Sequence, residues 1–429
     1  MTNKANTTIK TELAILGSGL TGLAAAIFAT NRGIPTVLAG QSKAIGFASG
    51  LMDLLGVHPG ETTWDDPWAG MERLRKEVPG HPYAKIGNTE IGTAFQEVHD
   101  FLNGQGLAYH KEDSHKNVNT ITSLGSIKKS YMVPKGMWNG IVALEKKAPT
   151  LLIDFSGLKI YSAKQIASAL EDQWPGLRAE RLEFPGTEHL EELHGEHLAR
   201  SLDLSANRVK LAERIKPLIN DAEYIGFPAV LGMYRSSETI KELEALLGLP
   251  VFEIPTPPVS VPGVRLKETL MTGLEKRDLF QAMPEMINQI TPLPGQGFRI
   301  TLGKGDTEKT LEAKGVLLAT GRFLGKGLTA ERTGIKESLL DLPVYQPGDR
   351  NTWHKQDLFD PQGHPVNRAG IETDPMFRPV NESKSPVLEN LFCAGSILAH
   401  SDWTRTKSGA GVAMASAFAA VTAFKKTTA

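Results

Sequence analysis

Gly17-Ser18-Gly19-Leu20-Thr21-Gly22, with Ala26 four residues further on, is the stretch that decides the fold. It has the G-x-G-x-x-G-x-x-x-A spacing of a phosphate-binding turn. Gly17 permits the tight turn, Gly19 lets the backbone approach phosphate oxygens, and Gly22 with Ala26 brings a helix close to the sheet. The free amides and dipole of that helix then face an anion. A lone hexapeptide of this kind is often an ordinary glycine turn, so the flanks matter. Leu13 to Leu16 is a short apolar run, as for a parallel strand buried on both faces. Leu20 to Arg32 is Ala-rich and unbroken, with Gly33 as its stop, and Pro35 to Ala39 supplies a second buried strand. Strand, turn, helix and strand open a right-handed βαβ unit. The turn by itself does not separate NAD from flavin.

Two distant stretches make that separation. Gly315-Val316-Leu317-Leu318-Ala319-Thr320-Gly321 is a buried strand ending in Ala-Thr-Gly. Asn390-Leu391-Phe392-Cys393-Ala394-Gly395-Ser396 is another, followed by Lys407-Ser408-Gly409-Ala410-Gly411-Val412 and an Ala-rich helix. In this order they resemble flavoproteins of the two-dinucleotide-binding class. The resemblance implies that Thr320 and Gly321 mark where the chain crosses beneath the cofactor. It also implies that Gly395 and Ser396 meet the ribityl chain. Gly409, Ala410, Gly411 and Val412 would then point a helix N-terminus at the flavin N1–C2=O edge, where reduced flavin carries negative charge. Two positions depart from the class. Gly40 and Gln41 stand where an acid would hold the adenosine ribose, and Ser396 stands where Asp is usual. The first departure points to a mononucleotide, FMN, with FAD as the alternative because three dinucleotide-type motifs remain. A second G-x-G-x-x-G is absent, which argues against a separate NAD(P)H domain.

The chain has 429 residues, more than one ordinary domain, and two domains sharing a crevice are expected. The fold class is α/β: a discontinuous Rossmann-like flavin-binding domain, residues 1–60 and 271–429, with an inserted α+β substrate or cap domain at 61–270. Within the insert, Leu151 to Ser156, Tyr224 to Val230 and Val251 to Ile254 read as strands. After it, Phe298 to Leu302 and Thr310 to Leu318 read as a hairpin leading into a buried strand. A formal net charge of -1 gives no pull toward nucleic acid. The single Cys393 excludes an internal disulfide and an iron–sulfur cluster owned by this chain, so electrons leaving through clusters need a partner. It also favours a reduced, cytoplasmic setting. Met1 to Lys10 is polar and lacks a signal-peptide core, and the apolar run Val412 to Phe424 is too short to span a bilayer.

Further residues sharpen the resemblance to one family, the B subunit of anaerobic glycerol-3-phosphate dehydrogenase. They include Phe47-Ala48-Ser49-Gly50 with Asp53-Leu54-Leu55, the turn Ile254-Pro255-Thr256-Pro257-Pro258, and Gly263-Val264-Arg265-Leu266. Ala330-Glu331-Arg332, Thr373-Asp374, Arg378-Pro379, Gly395-Ser396 and Asp402 continue the match. The loop His400-Ser401-Asp402-Trp403-Thr404-Arg405-Thr406-Lys407 departs from the family's Gly-rich, weakly charged run. The resemblance implies an FMN-dependent subunit that adds Gln41, Ser49 and Gly50 to the cofactor contacts made by Gly17, Gly19, Leu20, Thr21 and Gly22. It implies two partners, an FAD-binding catalytic subunit and an iron–sulfur subunit that docks the assembly on the inner face of the cell membrane. The implied reaction is oxidation of sn-glycerol 3-phosphate to dihydroxyacetone phosphate, with quinone as final acceptor. The alternative is a flavin-bearing electron-transfer or structural subunit whose substrate site lies in a partner.

Candidate catalytic residues are His400, Asp402 and Arg405, which precede the C-terminal helix and so fall near the flavin edge. His58 has a weaker claim. Arg265 and Arg378, each beside a turn, could clamp a phosphate or form structural ion pairs. His194 and His197, spaced i, i+3 in an acidic stretch with His189, could share a helical face toward a metal, although Gly195 between them favours a solvated surface and no metal is expected.

Overall fold

The computed structural model describes residues 8–41, 44–295, 297–305 and 308–428. Eleven strands matter here, numbered along the chain. They are β1 (Thr8–Leu16), β2 (Thr36–Ala39), β3 (Thr150–Phe155), β4 (Leu177–Leu182), β5 (Tyr224–Pro228), β6 (Val251–Ile254), β7 (Phe280–Met283), β8 (Ile287–Leu293), β9 (Gly297–Leu302), β10 (Lys309–Leu318) and β11 (Leu391–Cys393). The chain forms two compact units, one of residues 1–44, 53–101 and 270–429, the other of 45–52 and 102–269. The division runs differently from a single insertion at 61–270. Residues 61–101 pack with the first unit, and the short segment 45–52 packs with the second. There Ser260 Oγ donates to the Ala48 carbonyl at 2.5 Å, and Met52 pairs with Met132.

The first unit is built on a seven-stranded sheet in the order β7-β2-β1-β10-β9-β8, with β11 pairing β10. β7, β2, β1, β10 and β11 run parallel, and β9 is antiparallel to both its neighbours, β10 and β8. Leu13 to Leu16 and Val316 to Leu318 are buried on both faces, which is why these strands read as unbroken apolar runs. The helix Leu20–Asn31 is buried from Thr21 to Ala29 with little amphipathic character, since it is enclosed all round. It packs on the C-terminal helix Gly409–Thr428, where Phe28 meets Phe418 edge-on at 5.3 Å. Arg32 caps the first helix instead of ending it, and Gly33 follows at φ +73°. Every βα turn of this sheet, including the glycine turn after β1, lies at the carboxyl edge.

The second unit contains a wholly parallel sheet in the order β6-β5-β3-β4. The chain passes from β3 outward to β4, then returns to the other side of β3 for β5 and β6, so the winding reverses between β3 and β5. That is the order of a doubly wound sheet, whose switch point opens a crevice at the carboxyl edge. Antiparallel pairs Val118–Ile121 with Ile127–Ser130, and Tyr109–His110 with Val133–Pro134, complete this unit's strands among the described residues.

Candidate flavin site and its histidine cluster

At the carboxyl edge of the first sheet the three glycine stretches meet. A Cβ on Gly17, at φ +116°, would lie 2.4 Å from the Ala319 carbonyl oxygen and 3.1 Å from the Thr320 Cα. One on Gly395 would lie 2.1 Å from Thr21 Oγ1, and one on Gly321 3.4 Å from Ser396 Oγ. The turns after β1, β10 and β11 therefore touch through glycine positions that admit no side chain, leaving their backbones open to a ligand. The Gly17 amide is held by the Ala39 carbonyl at 2.8 Å and the Leu23 amide by the Gly19 carbonyl at 3.0 Å. The intervening amides stand at a helix start without intrahelical acceptors. Thr21 packs its side chain against Gly395, so its contribution toward a ligand is its backbone.

The C-terminal helix divides its expected contacts. The Gly411 amide donates to the Asp53 carbonyl and the Val412 amide to the Ser408 carbonyl, both at 2.8 Å. Gly409 and Ala410 are left as the amides the helix start can offer an anion. Gly411 itself is required by packing, because a Cβ there would lie 2.0 Å from the Tyr83 hydroxyl. Gln41, exposed after β2, carries no charge at the ribose position. Ser49 and Gly50 lie in the second unit, where Ser49 Oγ accepts the Leu51 amide at 3.3 Å and Gly50, at φ +84°, receives the Tyr109 hydroxyl at 2.8 Å.

Four buried polar atoms of the first unit stand without hydrogen-bond partners at this edge: Thr320 Oγ1, Arg322 Nε, Ser401 Oγ and His81 Nε2. Buried polar groups are nearly always satisfied, so these mark where a ligand or ordered water belongs. With the glycine cradle and free amides they fit a flavin nucleotide.

Arg322 is a staple for the surrounding loops. Its guanidinium donates to the carbonyls of Asn367, Leu398 (3.0 Å) and Ser401 (2.7 Å), and burial lowers its pKa to about 10 despite nearby Asp402. Asp402 caps the short helix Trp403–Thr406 by accepting the Arg405 amide at 3.3 Å, and Arg405 Nε donates to the Pro361 carbonyl at 2.8 Å. Both contacts hold the loop together. His400 differs. Its Nε2 lies 2.8 Å from Glu372 Oε1, and its ring packs on Tyr345 at 4.1 Å. Gly80 makes room for it, since a Cβ there would stand 2.7 Å from the His400 ring. Burial raises the Glu372 pKa, but hydrogen bonds from Lys384 and His400 outweigh that and hold it below the ordinary carboxylate value. The Glu372 contact at Nε2 fixes the ring and turns its Nδ1 edge away from that carboxylate.

Sequence reasoning missed Glu372, Arg322 and His81. Arg322 could have been found, because it directly follows Thr320-Gly321. Nothing local marks His81 beyond its glycine and proline neighbours. His81 Nδ1 accepts the Tyr83 amide at 3.1 Å, which places its proton on the unpartnered Nε2. Burial, then the neighbouring His58, His400, Arg75 and Arg322, lower its pKa to about 3. His58 pairs with Glu77 at 2.9 Å, and burial lowers its pKa against that pairing. Below pH 6.5 the unfolded chain binds a proton at His81 that the folded chain refuses until about pH 3, so stability falls as pH falls through that window. Going from pH 6.5 to pH 5 removes roughly 2 kcal/mol through this group. His81→Asn keeps an acceptor for Tyr83 and should flatten that slope in urea unfolding at pH 7 and pH 5. An equal loss in both proteins would exclude His81 as the buried neutral group.

Arg265 and Arg378 are ion-paired. Arg265 makes a buried two-pronged contact with Glu253 at 2.7 and 2.9 Å, and Arg378 binds Asp374 at 2.7 Å and also Glu389. In the second unit a cavity of about 450 Å³ opens at the carboxyl edge of its sheet. Lys159 and Ile160 after β3, His194 and His197 after β4, and Val259 after β6 line it. His194 and His197 face each other edge-on at 5.6 Å. Among the described residues no group of three or more His, Cys, Asp or Glu is placed to hold a metal ion. Among the same residues no helix is long and apolar enough to cross a membrane.

Residues 12–412 match the model of the FAD binding domain family. The B subunit of anaerobic glycerol-3-phosphate dehydrogenase from Yersinia pseudotuberculosis serotype I is 31% identical over 430 residues, covering 95% of this chain and 96% of that protein. The protein of the same description from Aliivibrio fischeri strain MJ11 is 28% identical over 426 residues, covering 94% and 93%. Among solved structures, a 3-ketosteroid Δ1-dehydrogenase from Sterolibacterium denitrificans is 13% identical with a TM-score of 0.45, covering 98% of this chain and 100% of its own. Flavin binding follows from the family match, and FMN does not. The mononucleotide expected from Gly40 and Gln41 finds no support in a family described by its FAD binding.

Proposed function

The chain belongs to the FAD binding domain family and to the B subunits of anaerobic glycerol-3-phosphate dehydrogenase, and from that premise we propose that it is an FAD-dependent subunit oxidising sn-glycerol 3-phosphate to dihydroxyacetone phosphate. The observation that carries the reading is the convergence of Gly17, Gly321 and Gly395 in one cradle, with the His400–Glu372 pair following β11 in the chain. When bound, the flavin supplies the two-electron acceptor. The remaining requirements fall to the protein. Oxidation of a secondary alcohol to a ketone removes the hydroxyl proton, and His400 Nδ1 is the base oriented to take it. A phosphate dianion needs a cation. Arg322 and Arg405 already serve backbone carbonyls, which leaves Arg368 on the same loops, exposed and holding a single 3.4 Å bond to the Gln362 carbonyl.

Delivery of electrons to quinone requires partners, because a chain with one cysteine builds no cluster. The reading therefore includes an FAD-binding catalytic subunit, an iron–sulfur subunit, and peripheral attachment to the cytoplasmic membrane through them. The purified chain should be yellow, release FAD on denaturation, and reduce an artificial acceptor with glycerol 3-phosphate slowly or not at all. Co-expression with both partners should give one peak on size exclusion and restore substrate-dependent quinone reduction. A colourless protein that takes up neither FAD nor FMN would end the flavin reading. A lone chain reducing quinone at full rate would end the partner reading.

A further inference from the structure

His81 is 1% exposed, and its surroundings fix the ring. Nδ1 accepts the Tyr83 amide at 3.1 Å, and the two rings lie 5.0 Å apart. Tyr83 is tied in turn to the start of the helix Gly409–Thr428. Its hydroxyl donates to the Leu54 carbonyl at 2.6 Å and would lie 2.0 Å from a Cβ on Gly411. Gly80, directly before His81, stands against the His400 ring. The segment is therefore packed both on the first turn of the C-terminal helix and on the loop that leads into it.

With Nδ1 used as an acceptor, the ring proton sits on Nε2, which is buried and has no partner. Burial, then His58, His400, Arg75 and Arg322, lower the pKa of His81 to about 3, so the imidazole stays neutral at physiological pH. Arg322 Nε, Thr320 Oγ1 and Ser401 Oγ are orphaned as well. Arg322 is bound to the Leu398 and Ser401 carbonyls of the same loop, and Thr320 directly precedes Gly321 of the cradle. His81 Nε2 and Arg322 Nε can only donate, and none of the four groups is an acceptor alone. The free amides of Gly409 and Ala410 add two more donors. Such a set calls for a ligand surface made of acceptors. An alcohol brings a proton of its own. The N1–C2=O edge of a flavin brings acceptors alone, and it gains negative charge on reduction.

We propose that His81 Nε2 donates a hydrogen bond to the N1–C2=O edge of the bound flavin, favouring its reduced form over its oxidised form. The inference rests on the flavin reading above and holds whichever nucleotide carries the ring. It gives the neutral imidazole a role in setting the potential at which this chain accepts electrons.

The test measures the two-electron midpoint potential of the flavin in the full-length holoprotein, by reductive titration against a reference dye. His81→Asn keeps an acceptor for the Tyr83 amide and removes the donor at Nε2. Its reduced form should lose roughly tenfold to hundredfold in relative stability, as for loss of a hydrogen bond to a charged group. The potential then falls by about 30 to 60 mV. His81→Phe, which fills the ring's space without a donor, should fall likewise and gives the reading if His81→Asn does not fold. His81→Gln returns an N–H near the Nε2 position and should recover part of the loss. A flavin-loaded His81→Asn or His81→Phe protein at the wild-type potential would overturn the role of His81. So would a His81→Gln protein that falls as far as the other two. Wild-type protein that takes up no flavin would overturn the flavin reading, and this inference with it.

Discussion

Gly22→Ala is expected to yield a protein that binds no flavin and melts well below the wild type. The added Cβ would stand 1.8 Å from the Gly17 carbonyl oxygen, 3.0 Å from its carbon and 3.2 Å from Leu38 Cδ1. Two of those atoms are backbone of the phosphate turn, so no side chain can rotate away. Relief requires the helix Leu20–Asn31 to lift from β1 or the turn to open. Either move takes the amides at the helix start away from the phosphates. Overpacking of ordinary cores costs about 1–3 kcal/mol, and a backbone collision belongs at or above the upper end. Gly33→Ala is the matched control, because a Cβ there meets nothing within 4 Å. It bears only the strain of φ +73°, about 1–2 kcal/mol, and should bind flavin normally. Gly19→Val should lose flavin with a smaller loss of stability, since its side chain would occupy ligand space and not helix–sheet packing. Absorbance of the flavin and thermal melts read all three. A yellow Gly22→Ala protein with unchanged melting would mean that the turn does not hold the cofactor in this way.

These glycines also show what could be read before the fold was known. The turn after β1, and the strands ending at Leu318 and Cys393, were legible because buried parallel strands and glycine-dependent turns leave a local imprint on sequence. The strands that escaped were those without one. β4 reads Leu-Arg-Ala-Glu-Arg-Leu, good helix formers, and is a strand because it pairs along β3 at the sheet edge, half exposed throughout. β7 is four residues whose strand character comes from register with β2. The site divided in the same way. Backbone elements of the flavin cradle were visible, whereas Glu372, Arg322 and His81 come together from separate loops and carry no shared spacing. Asp402 and Arg405 stand out by their chemistry near the C-terminal helix, and in the structure they form a helix cap and a bond to a loop carbonyl.

His400→Gln is expected to lower kcat with glycerol 3-phosphate by about a hundredfold to ten-thousandfold, with a small change in KM, when assayed in the assembled complex. Glutamine keeps a donor toward Glu372 Oε1 and fills similar space, but offers no basic nitrogen where Nδ1 stood. Glu372→Gln should cost less, because it removes only the fixed proton on Nε2, and His400 can still reach the basic tautomer part of the time. Since Lys384 and His400 hold the Glu372 carboxyl below its ordinary pKa, this orientation persists as pH falls through the usual carboxylate range, and protonation of Glu372 should not limit activity above about pH 4.5. Arg368→Ala should instead raise KM and leave kcat largely intact, as for a group that binds the phosphate before and after the alcohol is oxidised. The pattern across the three variants separates the two roles this chain could have. A kcat loss at His400 with a KM loss at Arg368 places the substrate here. A His400→Gln complex turning over at the wild-type rate, with its flavin still bound, places the alcohol in a partner chain and leaves this one to carry electrons.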